Sequence, residues 1–155
     1  MEDTDLSDVA SEMAEQMSYV KENGIELRSA IEDGIHINGN RLLLSRLLQN
    51  LISNAYRYGR ENGHIDVTLK SGEPDENGID TAILSVSDDG RGMSAEEQKK
   101  VFDRFYRGEP SRTVHGTGLG LSMVKKIASL HDAKIELDST EGIGSTFKII
   151  IKKDK

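Results

Sequence analysis

The segment from residue 41 to residue 59 constrains the fold of this 155-residue chain more than any other. Its apolar residues recur at spacings of three and four, which is typical of a helix with one broad apolar face. They are Leu44, Leu47, Leu48, Leu51, Ile52 and Ala55. Gly59 then favours the end of the helix. Because an apolar face of this width must be covered by a second layer, the chain is predicted to form a layered domain around this helix.

Alternating apolar and polar residues predict that second layer. Ile65, Val67 and Leu69 alternate with polar residues, as in a half-buried strand, and residues 79–87 are predicted to be the returning strand of a hairpin. Further strands are predicted at 25–31, 35–37, 134–137 and 146–151, and further helices at 6–20, from 94 to about 100, and from about 119 to 131. The predicted fold class is α/β (α+β), a two-layer sandwich with about three helices on one face of a mixed, mostly antiparallel sheet.

Composition and charge exclude several classes of function. Apolar content of 35% with 30% charged residues fits a single domain over residues 1–155, with residues 1–20 as its leading helix. The net charge of −7, with no lysine or arginine before Lys21, argues against a nucleic-acid surface. No apolar run could span a membrane and no signal peptide opens the chain, so we expect a cytoplasmic domain without direct membrane contact, whose parent could be anchored in the cell membrane. The chain has no cysteine, and its four histidines share no metal-ligand spacing.

The polar face of the central helix carries an unusual set of side chains. Asn50, Asn54 and Arg57 fall within about 60° of one another, opposite the apolar face. An amide oxygen such as that of Asn54 could complete the coordination of Mg²⁺, while Arg57 could neutralise phosphate charge. Tyr58 lies at the boundary of the two faces, where its ring could stack on a base. Taken alone, this pattern is more typical of a plain amphipathic surface.

Asp88 follows an apolar strand, and glycines follow it closely. A carboxylate at this place could accept a hydrogen bond from the exocyclic amino group of adenine, and it would repel the carbonyl oxygen of guanine. Gly90 and Gly92 would leave space for the ring because they lack a Cβ atom. The alternative interpretation is a simple Asp-Gly turn, which is common after strands.

A second glycine cluster stands at the start of a predicted helix. It comprises Gly116, Thr117, Gly118, Leu119, Gly120 and Leu121. Helix N-termini offer unpaired N–H groups and a positive dipole end, which favour phosphate binding. The cluster is not a P-loop, because no Gly-Lys-Ser/Thr follows, and neither glycine cluster completes the dinucleotide motif G-x-G-x-x-G.

Aromatic and basic residues precede that cluster. They are Phe102, Arg104, Phe105, Arg107 and Arg112. The phenylalanines favour a hydrophobic clasp at the base of a loop, an interpretation that holds whatever the function. The arginines would supply cations near a polyphosphate. Residues 105–115 show no periodicity and are predicted to be a mobile loop.

In this order, the motifs resemble the ATP-binding catalytic domain of sensor histidine kinases, within the wider GHKL ATPase group. The N, G1, F and G2 boxes and the closing glycine turn of that family resemble residues 50–58, 88–93, 101–107, 115–121 and 142–147. The resemblance extends from about Asp5 to Lys152. Any one box is a weak signal, whereas four boxes in the family's order are a specific one.

The resemblance implies roles for individual residues. Asn54 would be the magnesium ligand, Arg57 would replace the usual phosphate-binding lysine, and Arg107 would contact the terminal phosphate; these are the implied catalytic residues. Tyr58 would flank adenine and Asp88 would hold its amino group. The other implied nucleotide contacts are Asn50, Gly90, Gly92, Met93, Gly116, Thr117, Gly118, Leu119, Gly120, Leu121 and Thr146. Residues 107–120 would form an ATP lid that orders when nucleotide binds.

The implied reaction is transfer of the γ-phosphoryl group of Mg-ATP to a histidine, a reaction that relies mainly on positioning and charge stabilisation. Hydrolases of the group place a glutamate where this chain has Asn50, which cannot act as a general base. The family's dimerisation segment with its phosphoacceptor histidine is not recognised in this sequence. The implied partners are therefore ATP or ADP, a separate dimerisation/phosphoacceptor domain that forms a homodimer in the parent, and a response regulator.

Two other functions fit the same motifs. One is a nucleotide-regulated binding module whose ATP pocket gates contact with a partner protein. The other is an anti-sigma-type serine kinase on a similar fold. His115, which stands where a small residue often opens the G2 box, and the replacement of lysine by Arg57 depart from the usual family pattern.

Overall fold

The computed structural model describes residues 1–20, 22–103 and 120–153. In chain order the elements are β1 (Glu2–Asp5), α1 (Leu6–Ser18), β2 (Glu26–Ile31), β3 (His36–Gly39), α2 (Arg41–Tyr58), β4 (His64–Ser71), β5 (Thr81–Asp88), α3 (Ala95–Lys100), α4 (Gly120–Leu130), β6 (Lys134–Thr140) and β7 (Gly144–Lys152). The main sheet has the order β2-β4-β5-β7-β6. Strand β2 is parallel to β4 and the other pairs are antiparallel, which confirms the predicted mixed sheet.

Helix α2 packs its apolar face into the core, as its spacing predicts. Its six stripe residues are each at most 2% exposed. They join one hydrophobic cluster with alternate residues of the central strands, which include Ile65, Val67, Leu84, Val86, Phe147 and Ile149. Helices α1 and α4 contribute to the same cluster. The sandwich is therefore held together by one core between three longer helices and the sheet.

The short helix α3 is fixed by its ends, because none of its residues is buried. Ser94 and Glu97 form the predicted capping box: the Ser94 hydroxyl accepts from the Glu97 N–H, and the Glu97 carboxylate accepts from the Ser94 N–H. Gln98 donates from its amide to the carbonyls of Met93 and Ser139. Helix α3 is thus attached to the loop that follows β5.

A two-stranded antiparallel ribbon of β1 and β3 lies outside the main sheet. The strand predicted at 35–37 corresponds to β3, whereas β1 and its pairing were missed by the prediction from sequence. Residues 2–5 are mostly acidic and show no apolar alternation. The Thr4 hydroxyl donates to the Gly39 carbonyl at 3.1 Å. The strand depends on pairing with β3, which a local pattern does not encode. Helix α1 accordingly begins at Leu6 and ends at Ser18, two residues before the predicted end.

The start of α2 is joined to the end of α4 by a buried histidine. His131 is 7% exposed, and its Nδ1 donates to the Ile127 carbonyl at 2.8 Å. Its Nε2 accepts from the backbone N–H of Asn40, the N-cap of α2, at 3.0 Å. This bridge fixes the two helices that carry the predicted nucleotide-binding boxes relative to each other.

Within the described ranges, no helix has both the length and the apolar character needed to cross a bilayer.

Candidate nucleotide-binding site

The polar face of α2 points toward the start of α4. Asn50 donates from its amide to the Gly120 carbonyl at 3.3 Å. One turn later, Asn54 is 8% exposed, and among the described residues its Nδ2 finds no hydrogen-bond partner. Arg57 follows on the same face and is half-buried. The helix therefore presents a buried amide beside a cation, as its sequence predicts.

Tyr58 ends α2 and is 4% exposed. The guanidinium carbon of Arg91 lies 4.4 Å from the centre of its ring, and that of Arg57 lies 5.6 Å away. Both distances fit cation–π contact. Instead of standing free for a base, the ring is covered by Arg91, a residue that was not among the predicted site residues. The adenine contact of Tyr58 stays a prediction.

Asp88 ends β5, in the middle of the sheet, and is 9% exposed. Its carboxylate accepts from the Gly90 N–H at 2.9 Å. Burial raises the pKa of Asp88 to about 6, although hydrogen bonds from the backbone of Gly90 and Ser145 and the charge of Arg91 lower it. A buried carboxylate whose pKa stays raised despite these interactions is a candidate acceptor for a hydrogen bond from a ligand.

The glycines after Asp88 are required by contacts within the protein. A Cβ atom on Gly90 would collide with the carbonyl of Tyr58, and one on Gly92 would collide with the carbonyl of Thr140. Gly92 also has a φ of 66°. Close packing of the loop between α2 and the β6–β7 turn is thus sufficient reason for these glycines, and their contact with adenine stays a prediction.

Hydrogen bonds hold that loop on the β6–β7 side. The Gly142 N–H donates to the Arg91 carbonyl at 2.7 Å. The Met93 N–H donates to the Ser139 hydroxyl at 2.8 Å, and Met93 itself is 2% exposed. On the α2 side, the Arg91 N–H donates to the Tyr58 carbonyl at 3.2 Å. The loop 88–93 is therefore anchored at both edges.

The nucleotide contact of Thr146 stays a prediction, and the register of β7 shows which face of the sheet this residue occupies. Thr146 is paired with Ser87, and their hydroxyls lie 2.7 Å apart. Both belong to the partly exposed set of their strands, whereas Asp88 and its partner Ser145 belong to the buried set that faces the helices. Because neighbouring side chains on a strand point to opposite faces, Thr146 lies on the other face of the sheet from Asp88.

Ser145 is the residue of β7 that lies on the face of Asp88. It is 3% exposed, and its hydroxyl is 2.7 Å from that of Ser139, the acceptor for Met93. Prediction from sequence missed it. The alternation that buries Phe147, two residues later, carried the necessary signal.

A second acidic residue of the loop is engaged by a histidine. Asp89 accepts from the His64 N–H at 3.0 Å, and its other oxygen lies 3.2 Å from His64 Nδ1. Although burial opposes this change, the hydrogen bonds from His64 lower the pKa of Asp89. Asp88 and Asp89 are thus neighbours whose pKa values are shifted in opposite directions.

Helix α4 starts at Gly120, the residue whose carbonyl accepts from Asn50. Leu121 is 8% exposed and belongs to the core cluster. Several residues of the predicted F box, lid and G2 box lie outside the described residues. They are Arg104, Phe105, Arg107, Arg112, His115, Gly116, Thr117, Gly118 and Leu119.

The residues present fit a magnesium ion that arrives with a nucleotide. No cluster of three or more acidic or histidine side chains suited to a metal occurs in the part of the chain that the structure describes. Asn54 offers a buried amide whose Nδ2 is unpartnered among those residues, and a rotation of the amide would place Oδ1 there instead. A single hard oxygen ligand suits Mg²⁺ whose remaining ligands are phosphates and waters.

The chain matches the family described as histidine kinase-, DNA gyrase B-, and HSP90-like ATPases over residues 39–155. It is 42% identical over 119 residues to the heme sensor protein HssS of Staphylococcus saprophyticus, a match that covers 77% of this chain and 24% of that protein. It is 34% identical over 154 residues to the sensor-like histidine kinase SenX3 of Mycobacterium tuberculosis, covering 97% of this chain and 36% of that one. The chain thus spans about a third or less of the length of these relatives.

A solved structure shows the same architecture. The mycobacterial sensor histidine kinase MprB superposes with a TM-score of 0.84 at 25% identity, covering 98% of each chain. The α/β sandwich, the loop around Asp88 and the family match agree with one another. The chain therefore belongs to the histidine kinase-, DNA gyrase B- and HSP90-like ATPase family, and within it to the ATP-binding catalytic domains of sensor histidine kinases.

Proposed function

We propose that this domain binds Mg-ATP at the corner between α2 and the end of β5 and transfers the γ-phosphoryl group to a histidine on a separate dimerisation/phosphoacceptor segment. The observation that carries the proposal is Asp88, a carboxylate buried at the end of β5 in a loop that packs on the end of α2. A buried acceptor of this kind suits the exocyclic amino group of adenine.

The residues of α2 would act on the phosphates. Asn54 would hold the magnesium ion, which neutralises phosphate charge when it is bound. Arg57, one turn closer to the end of the helix, would add a positive charge on the same face. Arg107 and the G2 glycines are proposed to contact the phosphates from the lid side. Together these groups position the nucleotide, which is the main requirement of phosphoryl transfer.

Transfer is favoured over hydrolysis by Asn50. An amide cannot remove a proton from water at neutral pH. In the structure this amide donates to the Gly120 carbonyl at 3.3 Å, so it holds α2 to the start of α4. A structural role for Asn50 is consistent with a kinase that protects ATP from water.

We propose that the domain works in the cytoplasm as part of a homodimeric sensor kinase and that a response regulator receives the phosphoryl group next. Membership of the family supports this proposal. The nucleotide-gated binding module and the anti-sigma-type serine kinase are the competing functions.

A transfer assay separates these functions. The purified domain is mixed with Mg-ATP labelled on the γ-phosphate and with a histidine-bearing dimerisation segment, and the matched control is that segment with its histidine replaced by glutamine. We expect acid-labile label on the first segment and none on the control. Acid-stable label would favour a serine kinase. Saturable ATP binding without any label would favour the binding module.

Magnesium dependence tests the role of Asn54. The variant Asn54→Ala is expected to lose about tenfold or more in ATP affinity with magnesium and to change little without it, since only a metal ligand is removed. Its folding should be preserved, because Nδ2 of Asn54 has no partner to lose among the described residues. An equal loss with and without magnesium would contradict the assignment.

A further inference from the structure

Arg91 carries hydrogen-bond donors for which the described part of the chain offers no acceptor. Its Nε and Nη2 atoms are buried and have no hydrogen-bond partner among the described residues. Its Nη1 lies 3.4 Å from the Glu97 carboxylate. Since the guanidinium does not lose its proton in proteins, Nε and Nη2 remain hydrogen-bond donors whatever the pH.

The position of this guanidinium is fixed by the structure around it. The backbone of Arg91 is anchored on both sides, by the Tyr58 carbonyl and by the Gly142 N–H. The side chain lies over the Tyr58 ring, and Glu97 holds its outer end. Stacking and one ion pair explain why the arginine lies here, but they use neither Nε nor Nη2.

The unused donors belong to the same short loop as the buried acceptor. Asp88 is three residues before Arg91, and the positive charge of Arg91 acts on the Asp88 carboxylate. A buried donor without an acceptor is unfavourable, so two such donors in the loop that also carries the buried Asp88 carboxylate point to a ligand that brings acceptors.

We propose that Arg91 is a specificity-determining residue of the nucleotide site, whose Nε and Nη2 groups donate to a ring-nitrogen acceptor of adenine while Asp88 accepts from the exocyclic amino group. The inference rests on the proposed ATP binding. Adenine carries its amino group between two ring acceptors, N1 and N7, and therefore matches a neighbouring acceptor and donor. Guanine presents a carbonyl to Asp88, which mismatches the carboxylate. Its N1 carries a hydrogen, so a contact of Arg91 with N1 would also be lost, whereas N7 is an acceptor in both bases.

A double-mutant cycle between protein and ligand tests this contact. Affinities of the wild-type domain and of Arg91→Met are measured by calorimetry for ATP, 1-deaza-ATP, 7-deaza-ATP and AMP. Arg28→Met is the matched control, because Arg28 is an exposed arginine on β2 that is paired with Asp66 at 2.9 Å. Thermal unfolding of each variant confirms that it is folded.

Arg91→Met is expected to weaken ATP by about ten- to a hundredfold, the range of a hydrogen bond from a charged donor. The same loss is expected for AMP, which keeps the base. The loss of affinity should disappear for whichever deaza analogue lacks the ring nitrogen that accepts from Arg91. Arg28→Met should bind all four ligands like the wild type. Should Arg91→Met fail to fold, Arg91→Lys, which keeps the charge without the Nε and Nη2 donors, is expected to show the same pattern.

Three results would overturn the proposal. One is unchanged ATP affinity, and another is an equal loss for ATP and both deaza analogues. The third is a loss for ATP that vanishes for AMP, which would assign the guanidinium to the phosphates. If the wild type bound no ATP, the proposed function would fail along with this contact, whereas saturable wild-type binding without coupling would reject the contact alone.

Discussion

The two faces of α2 differ in whether their buried groups find suitable partners among the described residues. On the apolar face, residues such as Leu47 and Leu51 are fully buried in a continuous hydrophobic cluster. At the polar end of the same helix, Asn54 and the neighbouring Arg91 bury nitrogens that have no partner among the described residues. Asp88, at the same corner, holds a carboxyl whose pKa is raised to about 6.

This difference separates the part of the molecule that stabilises the fold from the part that lowers its stability. Burying apolar side chains contributes about 1.5–3 kcal/mol each. Polar groups that lose water without gaining a partner have the opposite effect. Substitutions on the apolar face should therefore change stability, and substitutions at the corner should change ligand affinity.

The largest expected effect is on the apolar face. Leu51→Ala removes a side chain that is 0% exposed, and it should lower the free energy of unfolding by about 2–5 kcal/mol. Urea denaturation followed by circular dichroism should show a lower midpoint at a similar slope. The control is Leu42→Ala, since Leu42 is 74% exposed and should matter little. Equal effects of the two variants would contradict the assignment of the core.

At the corner, Asp88→Asn should change ATP affinity and stability in opposite directions. It replaces the acceptor of the adenine amino group by an amide and should weaken ATP by about ten- to a hundredfold. The amide is uncharged, so the free energy of unfolding at neutral pH should rise by up to about 3 kcal/mol. Calorimetric titration and thermal unfolding measure the two quantities. Unchanged ATP affinity together with a lower free energy of unfolding would contradict both expectations.

The pH dependence of the wild type should follow the raised pKa of Asp88. A carboxyl with a higher pKa in the folded protein binds its proton more tightly there, so protonation stabilises the fold. This stabilisation is complete below the ordinary value of 3.8 and is lost as pH rises through about 6. ATP affinity should change in the opposite sense, falling up to tenfold per pH unit below about 6.

Asp88→Asn is the control for this pH profile. The variant lacks the titrating group, so the difference in unfolding free energy between it and the wild type should grow between pH 4 and 6. ATP affinities measured from pH 5 to 8 should be flatter for the variant than for the wild type. Parallel affinity profiles for the two proteins would assign the pH dependence to another group.

The smallest expected effect compares two neighbouring residues of β7. Ser145→Ala removes the buried hydroxyl next to Ser139, which holds the Met93 N–H, and should weaken ATP a few-fold, about 1 kcal/mol. Thr146→Val alters the opposite face of the sheet and should leave affinity unchanged. A larger loss of ATP affinity for Thr146→Val than for Ser145→Ala would support the predicted nucleotide contact of Thr146.

Most of the fold could be predicted from the sequence because its elements show strong local patterns. The stripe of α2, the alternation in β4 and the capping box of α3 each appear where their spacing predicts them. The β1–β3 ribbon could not be predicted, since its acidic first strand is specified by backbone pairing over a distance in sequence. His131 likewise gains its role only when α4 meets the N-cap of α2.

The site was predicted less completely than the fold. The positions of Asn54 and Asp88 follow from helical spacing and from the end of a strand. The nucleotide contact of Thr146 stays a prediction, and the alternation along β7 places Ser145, which was not predicted, on the face of Asp88. The contact of Arg91 with Tyr58 joins a loop to a helix that lies more than thirty residues earlier. No local pattern predicts such a contact, so only the folded chain reveals it.

The most direct test of this account is a calorimetric titration of the domain with ATP and with GTP, each in the presence of magnesium. The account predicts saturable binding of ATP at one site and much weaker binding of GTP, because Asp88 accepts from the amino group of adenine and repels the carbonyl of guanine. The absence of heat and of any thermal shift with ATP would contradict it, as would equal affinity for the two nucleotides.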